Sequence, residues 1–167
     1  MSSVLTESLY HVELIDGREV QKPLPKKFHA IIQSYLIAVL TARLPKRQYQ
    51  VLSELNVLCG EDHRDRVVPD ITVALRAAVY REGDLLGPAV LCVEILSRGQ
   101  TLSTLLDRSE RLLKAGTPLC WVIWPERRQA WTYAQEDLRV ADETLIVPMN
   151  EGKTIEVSLA EMWAELD

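Results

Sequence analysis

Between Pro88 and Pro125 the spacing of apolar residues changes twice. The run PAVLCVEIL has the short, dense apolar character of a buried strand. Leu102, Leu105, Leu106, Ser109 and Leu113 then fall on one face of a helix, and Gly116 stands where a helix C-terminus favours glycine. The run PLCWVIWP reads as a strand again. A strand, a helix and a strand in succession form a crossover unit, so the strand after Gly116 can lie parallel to the one before Leu102.

The flanking segments extend this pattern. LYHVELIDGREV reads as two short strands around an Asp16-Gly17 turn. Phe28, Ile31, Ile32, Leu36, Val39 and Leu40 follow the helical period until Pro45. YQVLSELNVLC and VVPDITVAL read as single strands, and QAWTYA as a strand joined to PLCWVIWP by the Glu126-Arg127-Arg128 turn. Ser158 and Glu161 form a capping box opening a last helix, SLAEMWAEL. The expected order is helix, three strands, helix, two strands, helix. That is a mixed α/β sheet with helices packed on it, not the alternation of a doubly wound fold.

At 167 residues, with 47% apolar residues and no linker-like segment or repeat, residues 1–167 read as one domain. The longest apolar stretch, Ala30 to Ala42, is too short to span a bilayer, and MSSVLTESLY lacks the basic start and apolar middle of a secretory signal. Cys59, Cys92 and Cys120 lie in apolar runs without a CxxC pair, as buried thiols of a reducing compartment do. The expectation is a cytoplasmic protein.

The net charge of −5 argues against non-specific coating of nucleic acid. Its distribution is uneven. Residues 22–47 carry Lys22, Lys26, Lys27, Arg43, Lys46 and Arg47 and no acid, whereas residues 135–167 hold nine acids against Arg139 and Lys153. The basic segment is either a solvated face or a surface for phosphate.

Most acids lie in turns or on exposed helix faces. Asp70 and Glu94 instead interrupt apolar runs. A buried carboxylate needs a cation, a metal or hydrogen-bond donors. If the two runs are neighbouring strands, both carboxylates reach one point, with Glu94 on the face of Cys92 and Leu96. Such a pair suits a hard divalent ion, Mg²⁺ or Mn²⁺. The alternative is that each acid is tied to a buried arginine, Arg98, Arg108 or Arg111. The residues alone leave both open.

The stretch Val68 to Pro125 resembles the Uma-two family of restriction endonucleases, a branch of the PD-(D/E)XK nuclease superfamily. The matching pieces are VVPDITV, PAVLCVEILS, LLDRSERLLKAGTP and LCWVIWPERR. Weaker matches are the Asp16-Gly17 strand, His29 at the first helix and the closing SLAEMW. The resemblance implies a restriction-endonuclease-like mixed β-sheet core flanked by helices, and metal-assisted phosphodiester hydrolysis of DNA. It implies Asp70, Glu94 and the Ile95 carbonyl as metal ligands. The superfamily's lysine two residues after the glutamate is Leu96 here, and the family's helix lysine, eight residues before the glycine, is Arg108. Arginine keeps the charge but does not readily exchange a proton. A non-catalytic DNA-binding or interaction module on the same fold is the rival, marked by Arg108 paired directly with Glu94 or Asp70.

His29 is either a helix-start residue with a local hydrogen bond or a polar group beside Asp70. His63 reads as solvated, and Ser97 as a turn residue. No HExxH, Cys/His cluster, G-x-S-x-G or phosphate-cradling glycine loop is present. Lys26, Lys27, Arg98, Arg111 and Lys114 are candidates for DNA backbone contacts. Trp121, Trp124 and Trp131 mark strands whose edge could form a homodimer.

Overall fold

The computed structural model describes residues 11–167; residues 1–10, including the opening segment read for a signal, lie outside them. The chain runs through β1 (His11–Ile15), β2 (Arg18–Lys22), α1 (Lys27–Arg43), β3 (Tyr49–Ser53), β4 (Val57–Cys59), β5 (Asp65–Val67), β6 (Ile71–Leu75), β7 (Tyr80–Arg81) and β8 (Asp84–Leu86). It continues through β9 (Leu91–Ile95), α2 (Leu102–Lys114), β10 (Cys120–Trp124), β11 (Gln129–Ala134), β12 (Asp137–Val140), β13 (Thr144–Pro148), β14 (Thr154–Ser158) and α3 (Leu159–Ala164).

The central sheet has the order β12-β11-β10-β9-β6-β3. β9 and β10 are parallel, with α2 as the crossover, and β6 runs antiparallel beside β9. A second sheet has the order β2-β1-β5-β4-β8-β7, and β13 and β14 form a separate hairpin. Alternation along β9 assigns its two faces. Leu91, Val93 and Ile95 join the core built from Ile32, Leu36 and Leu40 of α1, Trp121, and Met162 of α3. Cys92 and Leu96 face the other side, toward Leu112 and Leu105 of α2. Among the described residues no helix is long and apolar enough to cross a membrane.

Several sequence expectations need correction. YQVLSELNVLC is two strands in different sheets, broken at Glu54, which adopts a positive φ of 51°. VVPDITVAL likewise divides into β5 and β6, so Asp70 precedes a strand rather than interrupting one. Pro69 lies in that crossing, and proline cannot donate to a ladder. The segment holding Gly83 contains the β7–β8 hairpin, and β12, β13 and β14 follow QAWTYA where no strands were expected.

On α2 the buried face is Leu105, Arg108, Ser109 and Leu112, one residue off the expected Leu113. Gly116 does follow the helix, with φ of 105°. Ser158 caps α3 by accepting the Glu161 N–H at 3.3 Å. The three cysteines are free and buried. Trp121 is in the core and β12 covers the β11 edge, so the tryptophan strands offer no free edge.

Candidate functional site

The crossing from one sheet to the other places a polar cluster in the interior. β6 pairs with β9 only as far as Ile71 opposite Val93. Beyond that point the Ile95 N–H has lost its strand partner, and Asp70 Oδ2 accepts from it at 2.6 Å. The carboxylate therefore caps the end of the ladder and lies beside the residue that follows Glu94. Asp70 Oδ1 meets Lys22 Nζ at 2.7 Å and His29 Nε2 at 3.0 Å.

The backbone of the crossing is satisfied by charged and polar side chains, as buried peptide groups must be satisfied. The Val68 N–H donates to Glu13 Oε1 at 2.7 Å. The Val68 carbonyl accepts from Lys22 Nζ at 2.7 Å and Arg108 Nη2 at 3.0 Å. Gln33 Nε2 donates to the Asp70 carbonyl at 2.9 Å and to Glu54 Oε1 at 3.0 Å, and Lys22 Nζ also meets Glu54 Oε2 at 3.0 Å.

Glu94 faces α2. Arg108 donates to its two oxygens through Nε at 3.2 Å and Nη2 at 3.3 Å, and also bonds Glu13 through Nη1. This is the direct arginine pairing expected of the rival reading. Arg98 and Arg111 do not share it: Arg98 is exposed, and Arg111 pairs with Asp16 at 2.8 Å and Asp107 at 3.1 Å.

Glu13, Asp70 and Glu94 are each 1% exposed, and Lys22, His29 and Arg108 no more than 6%. Burial pushes the Glu94 carboxyl up, Arg108 opposes this, and the neighbouring Asp70 charge adds to it; the net shift is upward. Burial also raises Asp70, but the Lys22 charge and the His29 hydrogen bond outweigh it and hold Asp70 below its ordinary range. Lys22 is held up despite burial by Asp70, Glu94 and Glu54, so it remains an ammonium ion.

Asp70, Glu94 and Arg108, read from the sequence, thus meet in one cluster, and Ile95 contributes its N–H there. His29 makes a long-range contact with Asp70 rather than a local one, while His63 is exposed and Ser97 lies in a turn. Lys22, grouped by sequence with the solvated basic segment, is buried here instead. Glu13, Gln33, Glu54 and Lys22 were missed as site residues. For Glu13 a signal existed, because alternation puts it on the face of Ile15, which packs into the core. Among the described residues, no group of three or more His, Cys, Asp or Glu side chains is already disposed to hold a metal ion.

A family model described as Uma2, putative restriction endonuclease, matches residues 3–166. The chain belongs to the Uma2 family. A crystal structure described as a putative nuclease belonging to DUF820, from Anabaena variabilis, superposes with a TM-score of 0.78 at 27% identity, covering 93% of this chain and 91% of that one. No curated protein matches. The Uma2 match and this neighbour agree with the nuclease-like fold expected from VVPDITV and PAVLCVEILS.

Proposed function

We propose that this Uma2 protein is a divalent-metal-dependent DNA endonuclease whose ion is held by Asp70 and Glu94, with the Ile95 backbone beside them. The observation that carries this reading is the convergence of two buried acids: Asp70 and Glu94 are each 1% exposed, and Asp70 Oδ2 accepts at 2.6 Å from the N–H of Ile95, the residue after Glu94. Burial and then the Asp70 charge push the Glu94 carboxyl up. A hard divalent cation between the two would relieve that repulsion, and carboxylate oxygens are its preferred donors. An ion here competes with Lys22 and Arg108 for the same oxygens.

When bound, such an ion lowers the pKa of a water and polarises the scissile phosphate. The chain's own groups supply the rest. The Ile95 N–H and His29 fix the orientation of Asp70, and the Lys22 charge with the His29 hydrogen bond keeps it ionised. Arg108, forked across Glu94 and Glu13, positions Glu94. Lys22 is an ammonium in the site and is suited to stabilising negative charge that develops on phosphate oxygens. It stands where neither Leu96 nor Arg108 provides a lysine. Two copies would be needed to cut two strands; the β12 edge, with Val140 exposed, is open for a homodimer.

The test is cleavage of supercoiled plasmid DNA with Mg²⁺ or Mn²⁺ by the wild type and by Asp70→Asn and Glu94→Gln. Metal-dependent cleavage by the wild type alone supports the reading, and cleavage retained in both variants overturns the site. One observation favours the rival: Arg108 already satisfies Glu94. In a non-catalytic module, neither Mg²⁺ nor Mn²⁺ elicits cleavage by the wild type, while DNA or protein binding persists in chelator.

A further inference from the structure

The charged surface around the cluster divides into two clefts. The larger, about 690 Å³, is lined by Asp16, Asp65, Asp107, Glu110, Arg111 and Lys114. Its cations are engaged, Arg111 by Asp16 and Asp107, and Lys114 by Glu110 at 3.3 Å. Arg111 and Lys114 therefore offer phosphate less free charge than an unpaired cation does. The smaller cleft, about 500 Å³, lies between the first turn of α1, the Leu96–Arg98 turn after β9, and Pro125 and Glu126.

A helix N-terminus carries unpaired N–H groups and partial positive charge, which sequences usually offset with a capping side chain and acids in the first turn. α1 has neither. Its N-cap is Lys26, no side chain caps it, Lys27 follows, and the first turn has no acid. The Ala30 N–H bonds to the Lys26 carbonyl at 2.9 Å, but the N–H groups of Lys27, Phe28 and His29 find no acceptor among the described residues.

A second, independent observation falls at the same place. His29 lines this cleft and is 4% exposed; its Nε2 is committed to Asp70, and its Nδ1 is buried with no hydrogen-bond partner among the described residues. Lys26, Lys27 and Arg98 are exposed and make no ion pair with a described residue, and Glu126 is the one acid on the wall.

We infer that this cleft is a phosphate-binding subsite that seats a backbone phosphate of a nucleic-acid strand at the N-terminus of α1. The three free amides and the side chains of Lys26, Lys27 and Arg98 hold the oxyanion. His29 connects the subsite to Asp70, with Nδ1 meeting a water or hydroxyl of the bound strand. The subsite rests on the reading that the substrate is a nucleic acid. It adds which phosphate contacts anchor the strand, and it separates Lys26, Lys27 and Arg98 from Arg111 and Lys114.

The experiment is run in chelator, with inorganic phosphate and a short single-stranded oligonucleotide as probes. Amide resonances are followed by NMR and affinities by calorimetry, for the wild type and for the Lys26→Gln/Lys27→Gln/Arg98→Gln variant, whose three positions are exposed. Phosphate is expected to shift the Lys27, Phe28 and His29 amides selectively. The variant should bind it at least about tenfold more weakly and lower the salt slope of oligonucleotide binding by about one per cation removed. Equal affinity in the variant, or shifts spread evenly over Lys46, Arg47 and Lys153, overturns the subsite. Because no divalent ion is present, that failure is independent of cleavage. Phosphate binding by a chain that never cleaves DNA would overturn the endonuclease reading and leave the subsite standing.

Discussion

Replacing Arg108 by methionine removes the guanidinium that Glu94 and Glu13 share while keeping much of the side chain's length. In the wild type this group donates to both Glu94 oxygens at 3.2 and 3.3 Å, to Glu13, and to the Val68 carbonyl at 3.0 Å. At 6% exposure, water cannot take its place. Breaking a buried pair by removing one partner costs about 3–5 kcal/mol, because the other charge stays buried. Glu94 has a partial escape. Its carboxyl is already held above the ordinary 4.5, and loss of Arg108 raises it further. Between the unfolded and folded values the native state binds more protons, so the variant's stability falls as pH rises. We expect a loss of about 3–5 kcal/mol near pH 9.5, about 6–20 °C in Tm for a chain of this size. Near pH 6, below the wild-type Glu94 value of about 8, the carboxyl is protonated in both proteins and the loss should shrink to about 1–3 kcal/mol. Urea unfolding followed by tryptophan fluorescence measures both. A loss under about 1 kcal/mol near pH 9.5, or equal losses at the two pH values, would refute the account of Arg108 as the partner of buried carboxylates.

Asp70 has the opposite sign. Its carboxyl is held below the ordinary 3.8, so its stabilisation is full above that value and is lost as pH falls toward the folded value. Acid unfolding of Asp70→Asn should therefore be shallower below about pH 4 than that of the wild type; parallel curves would exclude the Lys22 and His29 pairing as its cause. Lys22→Met should cost about 3–5 kcal/mol at neutral pH by leaving Asp70 without its ammonium, with Lys22→Arg losing less; equal losses in thermal unfolding would argue against a charge role. Arg108→Lys should preserve or raise cleavage, because a lysine keeps the charge and exchanges a proton more readily. A folded, metal-binding Arg108→Lys protein with no activity would contradict that role.

The parts of the site legible in the sequence were those whose neighbours advertise burial. Asp70 and Glu94 stand next to Pro69, Ile71, Val93 and Ile95, so each carboxylate demanded a partner. The strand–helix–strand unit was legible for the same reason, as the change of apolar period is unambiguous over that length. Glu54 and Lys22 were not, since SELN and REVQK are polar strings in which a charged residue looks solvated. Lys22 is the only buried residue of β2, and nothing local distinguishes it from Arg18 or Glu19. The split of VVPDITVAL between two sheets was hidden too. It depends on where β5 finds β1 and β4, and those pairings connect residues distant in sequence. Arg108 shows the intermediate case: the helical period places it with Leu105 and Leu112, but only the fold brings Glu94 and Glu13 to it.

Calorimetric titration of Mn²⁺ into the wild type and the Asp70→Asn/Glu94→Gln variant tests the central claim most directly. Both substitutions keep the side-chain shape while removing the two charges proposed to hold the ion. Binding by the wild type and none by the variant is the predicted result. Equal binding by both, or none by a folded wild type, would contradict the metal site and leave Arg108 and Lys22 as the permanent partners of these carboxylates.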